Sequence, residues 1–364
     1  MRLLVTGGCG FIGSNFVRNR LEKTGDTVVN LDALTYAGNR ANLQVFEADS
    51  RYRFVHGRIE DPAAVKQAIA GVEAVVHFAA ESHVDRSIDD AAPFINTNVL
   101  GTQVMLDAAR RAGVRRFVHV STDEVYGALG REGRFTEETP LHPRSPYAAS
   151  KAAGDLLAQA YWETHHLPVM VVRPSNNYGP YQFPEKLIPV MVTNLVEGRK
   201  VPVYGRGENV RDWLHVEDCC RGIEIVLDRG QPGEAYNIGG ESERHNIDVV
   251  RQVVSLMGLA EQAEAKVQVK AGGETSVPAS TSTSTCSDSW LEFVPDRPGH
   301  DFRYALDNTK IRRELNWRPE TKFEDGLSRT VDWYRGHPDW WRPLKERLSR
   351  ESRGFWTNLS PTQG

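Results

Sequence analysis

Cysteine is scarce in this sequence and poorly placed. Cys9, Cys219, Cys220 and Cys286 include no C-x-x-C spacing, and two adjacent cysteines are poor partners for one ordinary disulfide. Neither a metal site nor a disulfide framework is expected, and a reducing cytoplasm is the expected compartment. Long apolar runs are missing too, since no stretch approaches the ~18 residues of a membrane span. The N-terminus reads directly as a strand, so no signal peptide is expected. Charge of neither sign dominates: 44 Lys and Arg stand against 48 Asp and Glu, a net charge of −4 in 364 residues. No broad basic surface is implied, which argues against nucleic acid as a partner. The length suffices for one large domain or two smaller ones around a substantial core.

What is present begins with glycine. Arg2 to Thr6 reads as a strand, and Gly7-Gly8-Cys9-Gly10-Phe11-Ile12-Gly13 follows it. Both G-x-x-G-x-x-G (Gly7, Gly10, Gly13) and G-x-G-x-x-G (Gly8, Gly10, Gly13) can be read there. Glycines let the backbone turn tightly and approach a pyrophosphate, and the next helix start favours the anion. The motif opens a helix over Phe11–Lys23 and precedes a second strand, Thr27–Leu31, which ends in Asp32. An acid about 20 residues past the loop suits the ribose of NAD and would repel a 2′-phosphate. NAD is therefore the expected cofactor.

A second stretch, Ser121 to Lys151, carries the chemistry. Arg116–Val120 is short and apolar enough for a buried parallel strand. Thr122, Asp123 and Glu124 then sit just past its carboxyl end, where ligands bind in open α/β sheets. The plainer reading is a helix cap with acids in its first turn. After Pro146, Tyr147 to His165 reads as a helix, with Tyr147 and Lys151 one turn apart on one face. The nearby ammonium is expected to lower the tyrosine pKa, fitting Tyr147 to act as a base on a hydroxyl.

Strands over Tyr52–His56, Glu73–Phe78, Phe117–Val120 and Val169–Val172 alternate with helices over Pro62–Ala70 and Ala91–Ala112. That spacing predicts an α/β fold with a Rossmann-like, doubly wound parallel sheet. Ser175 to Lys186 reads as a long polar loop, of the kind that is usually functional. Leu187–Gly198 and His215–Leu227 read as helices, with short strands at 201–205 and 209–213 and another over Glu234–Ile238. A smaller C-terminal substrate-binding region is thus expected to interleave with the first. The expected organisation is an NAD-binding domain over 1–174, a second region over 175–349 and a polar tail over 350–364. The Ser/Thr-rich stretch 271–289 cannot bury a core face and is expected to be a disordered insertion.

The chain resembles the extended short-chain dehydrogenases/reductases and, within them, the dTDP-glucose 4,6-dehydratase family. The resemblance rests on TGGCGFIGS (Thr6–Ser14), LDALTYAGN (Leu31–Asn39), HFAAESHVDRSI (His77–Ile88), STDEVYG (Ser121–Gly127) and SPYAASK (Ser145–Lys151). It continues through SNNYGPYQFPEKLIP (Ser175–Pro189), RDWLHVED (Arg211–Asp218), YNIGG (Tyr236–Gly240) and DRPGHD (Asp296–Asp301). It implies a homodimer with bound NAD, acting on dTDP-glucose. By the same matching, Tyr147 takes the proton of the sugar 4-hydroxyl, Lys151 tunes Tyr147 and holds the nicotinamide ribose, and Thr122 bonds the 4-oxygen. Glu124 takes the C5 proton and Asp123 protonates the departing C6 hydroxyl. Implied cofactor contacts are Phe11, Ile12, Asp32, Leu34, Thr35 and Ile59, with Ala79, Ala80, Thr97 and Asn177. Implied substrate contacts are Ser82, Asn176, Lys186, Leu187, Pro202 and Tyr204, with Arg211, Asn246, Asp296 and His300. Arg211 and Lys186 suit diphosphate oxygens. Arg58 stands where the family usually has an Asp facing the adenine amino group, and an Arg cannot accept that hydrogen bond.

Two other readings compete. A nucleotide-sugar 4-epimerase or decarboxylase shares the glycine motif and the Tyr/Lys pair but lacks paired acids after the threonine. A non-catalytic NAD-binding regulatory protein would show decay of Thr122, Asp123, Glu124, Tyr147 and Lys151, all of which are present.

Overall fold

The computed structural model describes residues 1–259, 286–296 and 301–351. The chain divides into two compact units. The first comprises Met1–Gln182, Arg211–Glu243 and Asp301–Phe323; the second comprises Phe183–Val210, Arg244–His300 and Glu324–Gly364.

The first unit is built on a parallel sheet. Its strands are β1 (Arg2–Thr6), β2 (Thr27–Asp32), β3 (Tyr52–His56), β4 (Ala74–His77), β5 (Arg116–Val120), β6 (Val169–Pro174) and a seventh, Ala235–Ile238. From one edge to the other the order is Ala235–Ile238, β6, β5, β4, β1, β2, β3. The order reverses direction between β1 and β4, and the crevice beyond the strand ends at that point is where this topology takes ligands. Side chains alternate across the sheet with a period of two. Leu3, Val5, Val76, Val118 and Val172 pack on one face with Phe16, Val17 and Leu21 of α1 (Phe11–Lys23) and with Ile223 and Val226 of helix Val216–Arg229. Leu4, Val75, Phe117 and Val171 pack on the other with Val65 and Ile69 of α2 (Pro62–Ile69) and with Met105 and Leu106. Each fully buried side chain of this kind contributes roughly 1.5–3 kcal/mol, so both faces hold the strand ends in register.

The helix expected over Ala91–Ala112 is corrected. An α-turn over Ala92–Phe94 leads into a π-helical turn, Ile95–Gly101, and only then into the α-helix Thr102–Ala112. Two contacts accompany the turn, one local and one from a distant segment. The Thr102 hydroxyl donates to the Asn98 carbonyl at 2.7 Å, competing with the backbone ladder. Gly101 lies so close to Ile59 that an added Cβ would come within 2.6 Å of it. The loop expected at Ser175 to Lys186 is also interrupted, because Asn176–Tyr178 forms a strand that pairs in parallel with Val210–His215. Helix Val84–Asp89 was not evident in the sequence.

In the second unit, Val201–Tyr204 pairs in parallel with Leu291–Val294. Helices Leu187–Val196, Asn246–Leu256 and Pro338–Glu351 also belong to it, the last two unforeseen from sequence. The Ser/Thr-rich stretch lies outside the described residues up to 285, and Cys286–Trp290 is a 3-10 helix. The tail beyond 351 likewise lies outside them.

Candidate functional site

The glycine loop joins β1 to α1. Gly7 has φ +70°, and a Cβ there would lie 2.7 Å from the Ala79 nitrogen; a Cβ on Gly13 would lie 2.3 Å from the Gly7 oxygen. Glycine at these two positions thus lets α1 begin tight against β1 and against the Ala79-Ala80 segment. Gly10 caps α1 with no side-chain hydrogen bond, so Phe11, Ile12 and Gly13 form a helix start open to an anion. Asp32 is buried at the end of β2. Its Oδ2 accepts from the Cys9 N–H and its Oδ1 from the Leu34 N–H, both at 2.8 Å. Burial raises its pKa, while these two bonds and nearby His56 lower it. Leu34 is held at φ +50°, and Thr35 closes the turn by accepting from the Gly38 N–H at 3.1 Å.

Around this loop, the expected adenine-side residues divide. Arg58 is exposed, with Nη1 3.8 Å from Glu60 Oε1, and the Thr97 hydroxyl donates to the same oxygen at 2.6 Å. The Ile59 side chain is buried beneath Gly101. An acid therefore does stand in this corner, two residues later than the expected position.

The second cluster forms where β5 ends. Thr122 caps a 3-10 turn, Asp123–Tyr126, accepting from the Glu124 N–H at 3.3 Å. The capping reading and the catalytic reading thus describe the same residue. The Thr122 hydroxyl donates to Asp123 Oδ1 at 3.2 Å. Asp123 is 2% exposed, and its Oδ2 has no hydrogen-bond partner among the described residues. Burial, then the charges of Glu124 and Asp212, push its pKa well above the carboxylate range, against the pull of Arg211. Glu124 is only half-buried.

Helix Pro146–His165 supplies the tyrosine and lysine. Ser145 caps it by accepting from the Ala148 N–H, and Pro146 occupies its first position, where no amide donor is needed. The Tyr147 N–H donates to Ser87 Oγ at 3.1 Å, and its ring meets Phe94 edge-on at 6.3 Å. Lys151 is buried, and its Nζ donates to the Val120 carbonyl at 2.7 Å. Burial lowers its pKa to about 8, against the pull of Asp155. The expected drop in the Tyr147 pKa is corrected for these protein groups. Burial and then Glu124 push it up, with a Thr122 hydrogen bond opposing. The reason is that desolvation disfavours a phenolate more than these neighbours favour it.

Several neighbours went unforeseen. Arg211, an expected substrate contact, is buried among protein groups: its guanidinium donates to the carbonyls of Asp301 at 2.9 Å and Phe302 at 3.3 Å. It also lies 4.6 Å over the Tyr304 ring. The Tyr304 hydroxyl donates to Asp301, which also accepts from Arg144 at 2.9 Å. Asn98 accepts from the Glu81 N–H and donates to Ser150 Oγ, each at 2.9 Å, bracing the tyrosine helix. Asp155 and Arg173 form a buried ion pair at 2.8 Å. A signal existed for that pair: a charge one turn past Lys151, and a lone Arg ending a buried strand. Asp301 and Tyr304 have no periodic signature.

Of the remaining expected contacts, Ser82, Asn176 and Asn177 are half-buried in the first unit, and Asn176 Oδ1 has no hydrogen-bond partner among the described residues. In the second unit, Pro202 and Tyr204 lie on the strand paired with Leu291–Val294, Asp296 stands beside Gly205, and Asn246 begins its helix. Lys186 and Leu187 begin another helix of that unit. His300 lies outside the described residues. Among those residues, no cluster of His, Cys, Asp or Glu could hold a metal ion.

Comparison with known proteins adds a separate line of support. A family model described as GDP-mannose 4,6 dehydratase matches residues 4–330. A dTDP-glucose 4,6-dehydratase of Streptomyces niveus is 51% identical over 352 residues, covering 95% of this chain and 96% of that protein. The crystal structure of a dTDP-glucose 4,6-dehydratase from Streptomyces venezuelae with NAD bound is similar at a TM-score of 0.85 and 52% identity. The match covers 94% of this chain and all of that one (100%). A UDP-glucose 4-epimerase of Thermus thermophilus, also in complex with NAD, is similar at a TM-score of 0.79 but only 29% identity, covering 93% of this chain and 100% of that one.

Proposed function

The chain belongs to the nucleotide-sugar 4,6-dehydratase family, and within it to the dTDP-glucose 4,6-dehydratases, and on that premise we propose how its residues divide the reaction. The enzyme is an NAD-dependent lyase that converts dTDP-glucose to dTDP-4-keto-6-deoxyglucose in deoxysugar biosynthesis. Bound NAD would supply the redox chemistry, a hydride acceptor for sugar C4 and a hydride donor for C6. Gly7, Gly10, Phe11, Ile12 and Gly13 hold its diphosphate, and Asp32 takes a ribose. The open start of α1 and the glycine-only approach support that fit. Lys151 would hold the nicotinamide ribose at the tyrosine end of the site.

Tyr147 removes the proton of the 4-hydroxyl, and Thr122 bonds the 4-oxygen. A 4-keto group then acidifies the C5 hydrogen, which Glu124 takes as base and returns to C5 when hydride adds at C6. Asp123 donates a proton to the C6 oxygen, which leaves as water. One observation carries this division. Asp123 is buried with its pKa pushed up, while Glu124, its neighbour, is half-buried. A site that needs one protonated and one ionised carboxyl obtains both from such a pair. Substrate contacts are proposed at Ser82, Asn176 and Arg211, and at Lys186, Tyr204, Asn246 and Asp296. The purified protein should convert dTDP-glucose to a 4-keto product without consuming NAD; epimerised sugar with no 4-keto product would overturn the assignment.

We also propose a cytoplasmic homodimer. The buried free thiols of Cys9, Cys219 and Cys220 suit a reducing compartment. Exposed Ile95, Leu100 and Leu156 (49%, 50% and 57%) lie on two adjoining helical segments, joined where Asn98 bonds Ser150. Apolar groups left open in this way suit a self-complementary interface.

A further inference from the structure

Two segments meet across the glycine loop. β2 and β4 both pair with β1, one on each side, and the three strands end level at Leu31, Thr6 and His77. The outer two are therefore about 10 Å apart, and the chain between them is the start of the glycine loop. Yet the segment that leaves β2 touches the segment that leaves β4. The Arg86 guanidinium carbon lies 3.9 Å from the centre of the Tyr36 ring. The contact bridges the crevice beyond the strand ends, where this topology takes ligands.

Each half of the bridge is anchored. Tyr36 stands in the turn over 34–39. There the Leu34 N–H donates to Asp32 Oδ1 at 2.8 Å, and the Asn39 N–H donates to the Cys9 carbonyl at 3.0 Å. The turn is thus tied directly to the glycine loop. Its tightness needs Gly38, where a Cβ would lie 2.9 Å from the Leu34 Cα. Arg86 stands on helix Val84–Asp89, which His83 caps by accepting from the Arg86 N–H at 3.4 Å. The next residue, Ser87, is fully buried. Its Oγ donates to the Val84 carbonyl at 2.6 Å and accepts from the Tyr147 N–H at 3.1 Å. One short helix therefore joins the bridge to the helix that carries the tyrosine. Arg86 and Tyr36 are themselves only half-buried. A guanidinium over a ring is attractive in such a setting, and here it closes one segment against another over an opening.

We propose that Arg86 and Tyr36 are cofactor-positioning residues: stacked on each other, they form a strap across the crevice that keeps NAD seated from one turnover to the next. The inference rests on the placement of NAD at the glycine loop. The reaction favours such a device. The hydride taken from sugar C4 returns to C6, so NAD need not leave between turnovers. For NAD to leave, the turn over 34–39 and helix Val84–Asp89 must part, and the cation–π contact is lost in that step.

The test is the exchange of bound NAD for free NAD. Holoenzyme is mixed with an excess of radiolabelled NAD, and bound label is followed by rapid gel filtration. Arg86→Met keeps an apolar stem but removes the cation, and it should speed exchange by about threefold to thirtyfold. Tyr36→Leu should do the same. The double variant should be no faster than the faster single one, because either change opens the strap. Tyr36→Phe keeps the ring and should exchange as wild type does. If either single variant fails to fold, the other carries the prediction, with Tyr36→Phe as its reference. Wild-type exchange in Arg86→Met and Tyr36→Leu, or accelerations that multiply in the double variant, would overturn the proposal. So would a Tyr36→Phe variant as fast as Tyr36→Leu, which would trace the effect to the hydroxyl. Asp32→Ala separates the two layers. If it retains NAD as wild type does, the placement of NAD at the glycine loop fails; if it loses NAD while Arg86→Met exchanges at the wild-type rate, only the present inference fails.

Discussion

Asp32 Oδ2 accepts a hydrogen bond from the backbone N–H of Cys9 at 2.8 Å. The acid at the end of β2 therefore shapes the glycine loop at the end of β1, besides offering a carboxylate to a ribose. Its other oxygen holds the Leu34 N–H, in a turn where Leu34 sits at φ +50°. Asp32→Ala would leave two donors without their acceptor, each costing about 1–3 kcal/mol if it stays dry. The expected outcome is a loss of unfolding free energy in urea together with purification largely free of NAD. A variant that loses NAD but keeps full stability would show that the loop holds its shape without Asp32.

The Asp123 carboxyl makes stability depend on pH. Its pKa in the folded protein is raised above the ordinary value of 3.8, chiefly by burial. The folded state therefore holds a proton that the unfolded chain releases as pH climbs past that value. Folding stability falls with rising pH across the window from the ordinary pKa to the raised one. Asp123→Asn mimics the protonated form and should flatten that decline. Thermal melts across the pH range should show the variant melting higher than wild type at neutral pH and alike at the acid end. Equal melting temperatures at neutral pH would contradict the burial argument.

The two acids should also separate in exchange experiments. Both variants keep Tyr147 and Lys151, so both should still oxidise C4. Glu124→Gln should then show little exchange of the C5 hydrogen for solvent deuterium. Asp123→Asn should exchange it yet fail to expel water. Mass spectrometry of recovered sugar nucleotide from single turnovers in deuterium oxide reads both steps. The roles are reversed if Asp123→Asn blocks exchange and Glu124→Gln permits it.

For the proposed homodimer, Leu156 is the most exposed of the three apolar residues on the adjoining helices. Leu156→Glu places a charge in the suggested interface, where desolvation and like-charge repulsion across a two-fold both oppose association. Sedimentation velocity at micromolar concentration should show a dimer for wild type and a monomer for the variant. A monomeric wild type, or an unchanged dimer in the variant, would remove this face from consideration.

Local pattern was enough for much of this protein. A strand, a glycine turn and a helix at short range place Gly7, Gly10, Gly13 and Asp32, because backbone sterics and the two-residue period of a strand act between near neighbours. Tyr147 and Lys151 share a face because helical geometry requires it of residues four apart. Other features arise only when distant segments meet. The π-turn at Ile95–Gly101 packs against Ile59 from another αβ unit, and the pairing of Asn176–Tyr178 needs a partner some thirty-five residues on. The burial of Arg211 against Asp301 and Tyr304 has no local signature, and the clamp of Arg173 on Asp155, though each charge stands out alone, closes only when a strand meets a helix. The same holds for protonation. Sequence alone put an ammonium one turn from a tyrosine and suggested a lowered pKa, whereas the tertiary structure buries both groups and raises the phenol instead. Spacing singled out the residues proposed for the chemistry; the environment that sets their charge was decided by the packing, because desolvation is a property of all the atoms that enclose a group and not of its neighbours in the chain.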